Sequence, residues 1–145
     1  PLTPGGEGAC QPMYVSRLRI TPGRAGYRVV WRGAVDLPGG DTGAARVLLV
    51  SGNGVVVDSA MGGALVSGAR SATPRPRSLR YRSGQALVTL RQQPGGGYQV
   101  RVAARVLDLG TGAMPIIAAS LELGATEFAD SLSCSHRGRR IVCHG

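Results

Sequence analysis

Basic and apolar residues alternate one for one in short runs punctuated by glycine and proline. Leu18 and Ile20 interleave with Arg17 and Arg19, and Leu79 and Tyr81 with Arg80 and Arg82. Between them Tyr27, Val29 and Trp31 share one side of a run whose other side carries Arg28, Val30 and Arg32. A period of two sends successive side chains to opposite faces of an extended chain, so each run is a strand with one apolar and one charged face. Helical periodicity is weak by comparison. Residues 60–66 are the sole weak helical stretch, and glycines crowd them.

The punctuation fits strands joined by tight turns. Pro22-Gly23 precedes an extended stretch at 27–37. Gly52-Asn53-Gly54 separates strands at 46–50 and 55–58, a hairpin signal because such turns need positive φ. Pro74-Arg75-Pro76 marks a linker or sheet edge, and Ser83-Gly84 another turn. Strands are predicted at 86–91, 98–109 and 116–123, then a terminal hairpin of 132–136 against 139–143.

Shifting the chain on itself by about 72 residues, without gaps, superposes at least eleven identities between Leu18 and Ser59 and their counterparts. Leu18, Arg19, Pro22 and Gly23 fall on Leu90, Arg91, Pro94 and Gly95. Val30, Asp36, Leu37 and Gly40 fall on Val102, Asp108, Leu109 and Gly112. Gly52, Asp58 and Ser59 fall on Gly124, Asp130 and Ser131. Tyr27 and Tyr98 miss this register by one, which predicts a bulge near Gly33 or near Ala103-Ala104.

Each half alone would leave an apolar sheet face wet, and two halves can bury those faces together. The expected fold is therefore an all-β, antiparallel β-sandwich of two tandem repeats of about 72 residues, with a closed β-barrel as the alternative. Residues 1–13 read as an extended tail and 14–145 as a single domain, with repeats at 14–72 and 85–145. The expected core is Leu18, Ile20, Val29, Trp31, Val35, Val47, Leu49, Leu90, Val100, Val102, Val106, Ile117 and Leu121, with Tyr27 and Tyr98. Phe128 is assigned to the core as well.

The order Arg17-Leu18-Arg19-Ile20, a long strand ending Val35-Asp36-Leu37-Pro38, a Val-rich strand, Leu79-Arg80-Tyr81-Arg82, and a second copy ending Leu107-Asp108-Leu109 resembles a known pattern. It is similar to uncharacterised β-repeat domains in large secreted proteins of delta-proteobacteria and related bacteria. The resemblance covers roughly Val15 to Leu123. It implies an extracellular location, a structural or binding role, and no catalytic residue. The cysteine hairpin is not a regular feature of those domains, and arginine stands here where lysine is common in them.

The 17 basic residues are all arginine and give a formal net charge of +9 over 145 residues. Such exclusiveness, with abundant Gly, Ala and Val, is the composition of a GC-rich genome, so arginine by itself does not argue for phosphate recognition. A 43% hydrophobic share builds a core, and 17% charged residues argue against a charge-driven disordered chain. No apolar run approaches the roughly 18 residues of a membrane span. A start at Pro1 predicts a processed product or an excised domain.

Three cysteines stand at Cys10, Cys134 and Cys143, none in a Cys-x-x-Cys pair. If Gly138-Arg139 is a two-residue turn, the hairpin pairs 137 with 140 and therefore Cys134 with Cys143, close enough for a disulfide that staples an edge hairpin. Cys134, His136, Cys143 and His144 also carry zinc-ligand chemistry, at a spacing that matches no recognised knuckle. Cys10 is then left for intermolecular pairing, unless it takes one of the other two as its partner.

No catalytic, cofactor or metal site is expected. Paired carboxylates would be needed for acid catalysis, and Asp36 with Asp108 and Asp58 with Asp130 recur at matched positions, as turn-capping residues would. No nucleophile elbow, phosphate loop or His-Glu-x-x-His is present, so the chain does not read as an enzyme.

Two functions stay open. One is an extracellular or cell-surface structural domain that self-associates as a filament or surface-layer subunit, its tail packed on a neighbour or on another module of a larger protein. The other is a binding module for acidic polysaccharide or another polyanion through Arg17, Arg19, Arg28, Arg32, Arg80, Arg82, Arg101 and Arg105, all expected on the outward sheet face. Alternating arginine also serves simply as a solvated face that resists edge pairing. No aromatic side chain is expected among these arginines for stacking.

Overall fold

A computed structural model describes residues 10–36, 44–61, 65–67, 78–109, 114–124 and 126–145. The chain forms β1 (Cys10–Pro12), β2 (Tyr14–Gly23), β3 (Gly26–Val35), β4 (Ala45–Ser51), β5 (Gly54–Met61), β6 (Leu65–Ser67), β7 (Ser78–Arg82), β8 (Ala86–Gln92), β9 (Tyr98–Val106), β10 (Ile116–Leu123), β11 (Thr126–Arg137) and β12 (Arg140–His144). No helix occurs among the described residues, and so none that could cross a membrane. The weak helical stretch at 60–66 instead supplies the ends of β5 and β6, with 62–64 outside the described residues. The Pro74-Arg75-Pro76 element also lies outside them.

All strand pairs but one are antiparallel, and they follow one path, β5-β4-β10-β11-β12-β2-β3-β9-β8-β7-β6. The exception is β1, which runs parallel to the start of β11. The sheet nearly closes on itself, an arrangement compatible with the barrel alternative. Where its ends approach, the Ser59 and Ser83 hydroxyls lie 2.6 Å apart. Inward positions are almost wholly apolar and merge into one core. Every residue of the expected core is buried except Tyr27, which is half-buried against it. Arginine outside and aliphatic residues inside is the reverse of a membrane-spanning barrel's pattern.

The strand boundaries share the 72-residue offset. Shifted by that amount, β2, β3, β4 and β5 fall on β8, β9, β10 and β11. The side-chain phase does not follow everywhere. Val29, Trp31 and Val35 point inward on β3, whereas Tyr98, Val100, Val102, Ala104 and Val106 do so on β9. The Val30/Val102 identity therefore matches a partly exposed residue with a core one. β3 pairs with β9 without a break, so no bulge at Ala103-Ala104 causes this, and the bulge that does face Gly33 lies on β2 and leaves the phase of β3 unchanged. The change arises in the turns. Two residues join Gly23 to Gly26, whereas five separate Gln92 from Tyr98. A longer turn slides the register, and an odd slide exchanges the faces.

The predicted terminal hairpin forms in its predicted register, with Arg137 opposite Arg140 and Cys134 opposite Cys143. Gly138 has φ 63°, the left-handed conformation the turn demands. Cys134 and Cys143, with Cα atoms 4.0 Å apart, form a disulfide. The hairpin is not at an edge. β12 lies between β11 and β2, joining the β5-β4-β10-β11 part of the sheet to the β2-β3-β9-β8 part. The bond therefore staples a seam. Changing both cysteines to alanine is expected to cost about 2–3 kcal/mol, the chain-entropy value for so short a loop. Urea unfolding would show this as a lower midpoint, and an unchanged midpoint would exclude the stapling role.

The segment read as a tail is partly built in. Cys10 to Pro12 pair with Glu127 to Ala129, and Met13 is buried. Residues 1–9 and the Cys10 side chain lie outside the described residues.

Candidate polyanion-binding face

Strand pairing converts the scattered arginines of the sequence into rows. Arg17 on β2 stands opposite Arg32 on β3, and Arg32 opposite Arg101 on β9. His144 extends this row on one side, Thr89 and Arg80 on the other. A second row pairs Arg28 with Arg105. Between them runs Val142, Arg19, Val30, Ala103, Leu87 and Arg82. Neighbouring strands lie about 4.8 Å apart, so the guanidinium stems of one row stand that far from one another. Like charges directly opposite destabilise a sheet. Among the described residues, no carboxylate pairs with any of the eight predicted arginines.

The charge is segregated. Strands β12, β2, β3, β9, β8 and β7 carry Arg140, Arg17, Arg19, Arg28, Arg32, Arg101, Arg105, Arg91, Arg80 and Arg82, and no Asp or Glu. Strands β4, β5, β10 and β11 carry Asp58, Glu122, Glu127 and Asp130, against Arg46 and Arg137. A codon bias toward arginine would load both parts of the sheet alike. The uneven distribution is a property of the fold.

Five of the eight predicted arginines, Arg17, Arg19, Arg28, Arg32 and Arg101, line an open concavity of about 560 Å³. Its lining also includes Val30, Gly33 and Ala34, which are small or apolar, and Val15, Thr21 and Gln99. Arg80, Arg82 and Arg105 lie on the same outward face beyond it.

The concavity ends at a bulge opposite Gly33, carried by β2. Tyr14 pairs with Ala34 and Arg17 with Arg32, so Val15 and Ser16 together oppose Gly33. Val15 has φ 50°, and among the described residues it is the sole non-glycine with positive φ. A β-branched residue there is a steric outlier costing about 1–2 kcal/mol. Ser16 keeps the inward phase of Leu18 and Ile20, and its hydroxyl accepts the Trp31 Nε1–H at 2.8 Å. The bulge turns Tyr14 outward, half exposed at 51%. Strict alternation from Leu18 through Ser16 would have buried Tyr14. Val15→Gly, which removes the Cβ clash, is expected to stabilise the protein by about 1 kcal/mol, read as a raised thermal midpoint. A lowered midpoint would mean that Val15 is not strained.

The other sequence candidates fall elsewhere. The Cys134 and Cys143 sulfurs are bonded to each other and so are spent as zinc thiolates. The His136 Nε2 accepts the Met114 N–H at 3.3 Å. Asp58 does not cap a turn. It lies within β5 and forms a two-point ion pair with Arg46, at 3.0 and 3.1 Å, which holds its carboxyl below the usual range. Asp130 lies within β11, its Oδ1 accepting the Ser131 N–H. These positions match across the 72-residue offset but not in role.

The chain matches no protein-family model, no curated protein and no solved structure.

Proposed function

We propose that this domain binds an acidic polysaccharide through its arginine face. The observation that carries the proposal is the Arg17–Arg32–Arg101 row beside the Arg28–Arg105 pair. Setting like charges opposite one another opposes folding, and a polyanion laid over them turns that repulsion into attraction. The site is open rather than deep, which fits a linear polymer better than a small enclosed ligand. Its arginines bring no general base or nucleophile, so the role is binding and not catalysis.

An extracellular or bacterial cell-surface setting fits this reading, because the Cys134–Cys143 disulfide persists in oxidising compartments. Resemblance to secreted bacterial β-repeat domains supports the same setting, and the shared offset of four strands supports an origin by duplication. The self-associating reading draws on the internal repeat, the odd Cys10 and the tail, of which residues 10–12 pair with β11.

Titration with a polyuronate such as polygalacturonate, repeated at several salt concentrations, tests the proposal. Log affinity is expected to fall linearly with log salt, as it does when counterions are released. Absence of binding at low salt would overturn it.

A further inference from the structure

We infer that Tyr14 is a ring-stacking subsite beside the arginine row, and that the ligand is a carboxylated polysaccharide, sensed through its sugar rings as well as its charge. This rests on the arginine-face reading above and deepens it.

Three observations set Tyr14 beside the concavity, next to its lining residues Val15 and Ala34. It stands opposite Ala34, and Ala34 stands opposite Gln99, both of which line the concavity. The row Tyr14–Ala34–Gln99 lies next to the row Arg17–Arg32–Arg101, two residues along β3 and β9 and so roughly 7 Å away. The ring is half exposed, although a tyrosine at the end of an amphipathic strand could have joined the core.

The backbone that delivers the ring is costly. Val15 adopts a left-handed φ of 50°, and the bulge it creates exchanges the faces of Tyr14. The corresponding strand, β8, pairs with both β7 and β9 without any break in register. This architecture therefore holds such a strand straight when nothing has to be re-aimed. Bulges concentrate where a side chain must be redirected, and strained backbone concentrates at binding sites.

The ligand class follows from what is combined. Arginines in a row about 4.8 Å apart suit a chain bearing one anionic group per compact unit, and bidentate geometry suits carboxylate. A single exposed ring offers one stacking position. Nucleic-acid platforms stack several successive bases on several aromatic side chains. A polyuronate chain has a carboxylate on every unit and an apolar ring face that can lie on Tyr14 while its carboxylates meet Arg17, Arg32 and Arg101.

The experiment compares polygalacturonate with ringless inorganic polyphosphate and with single-stranded DNA, on the wild-type chain, Tyr14→Ala and Tyr14→Phe. The wild-type chain is expected to prefer polygalacturonate. Tyr14→Ala should weaken polygalacturonate binding by roughly tenfold and leave polyphosphate unchanged, and Tyr14→Phe should retain the preference. Wild-type binding to polyphosphate and polygalacturonate alike, with both insensitive to Tyr14→Ala, overturns the subsite while the arginine-face reading survives. Preference for single-stranded DNA overturns the ligand class. Binding to none of the three overturns the arginine-face reading itself. An unchanged thermal midpoint of Tyr14→Ala shows that the effect is local, as expected for an exposed side chain.

Discussion

Replacing Arg28, Arg32, Arg101 and Arg105 by serine should weaken polyanion binding about a thousandfold at low salt and at the same time stabilise the fold. The four residues are two directly opposed pairs, Arg28 with Arg105 and Arg32 with Arg101. Near an anionic surface each arginine contributes roughly 1 kcal/mol, and four together amount to about three decades of affinity. The dependence of log affinity on log salt should flatten by about 3, at roughly 0.7 per neutralised charge on a flexible strand. Folding should respond in the opposite direction. Like charges facing across strands cost a few tenths to 1 kcal/mol each, so removing two such pairs should raise the thermal midpoint by a few degrees. A face that merely keeps the protein soluble would give neither the loss of binding nor its flattened salt dependence. Unaltered affinity in the fourfold variant would exclude this face as the site.

Trp31→Ala should remove 3–5 kcal/mol or more, a large part of the total stability of a domain this size. Trp31 is fully buried on β3, a strand paired on both sides, with β2 and β9. Truncation leaves a cavity in the single core and deprives the buried Ser16 hydroxyl of its indole donor. The second effect adds about 1–3 kcal/mol if water does not enter. In thermal unfolding the midpoint should fall by roughly 10–20 °C. Trp31→Phe helps separate the two contributions, since it keeps most of the apolar area, leaves a smaller cavity and loses the hydrogen bond in full. A loss of less than 1 kcal/mol in Trp31→Ala would mean that the core closes over the cavity, contrary to the packing described. Because Ser16 belongs to the bulge, loosening it should also let Tyr14 leave the arginine face, coupling core to site.

Much of the fold is legible in short stretches of sequence. Alternation at Arg17-Leu18-Arg19-Ile20 and at Tyr27 to Arg32 assigns each side chain to a face using nothing beyond the pleat of a strand. The Gly138-Arg139 turn fixes Cys134 against Cys143 because hairpin register follows from turn length. Where the repeat register and the faces part, turn length is the cause. Two turn residues in one hairpin and five in the other shift the register by an odd number, and identities such as Val30 with Val102 then fall on opposite faces. Tyr14 escaped for a related reason. Its exposure depends on one extra residue in β2, which alternation cannot register and which nothing in Tyr14-Val15-Ser16 announces.

The sequence by itself determined an antiparallel β protein with an apolar inside and an arginine-bearing outside, since a strand's period is a local property of its backbone. It could not place those arginines relative to one another. Which residues become neighbours across strands depends on pairing between segments far apart in the chain, such as Arg32 with Arg101. Only the path of the sheet gathers Arg17, Arg32 and Arg101 into one row and leaves the carboxylates of β5, β10 and β11 on another part of the surface. Electrostatic attraction for a polymer depends on distances between charges, and those distances are set by tertiary structure.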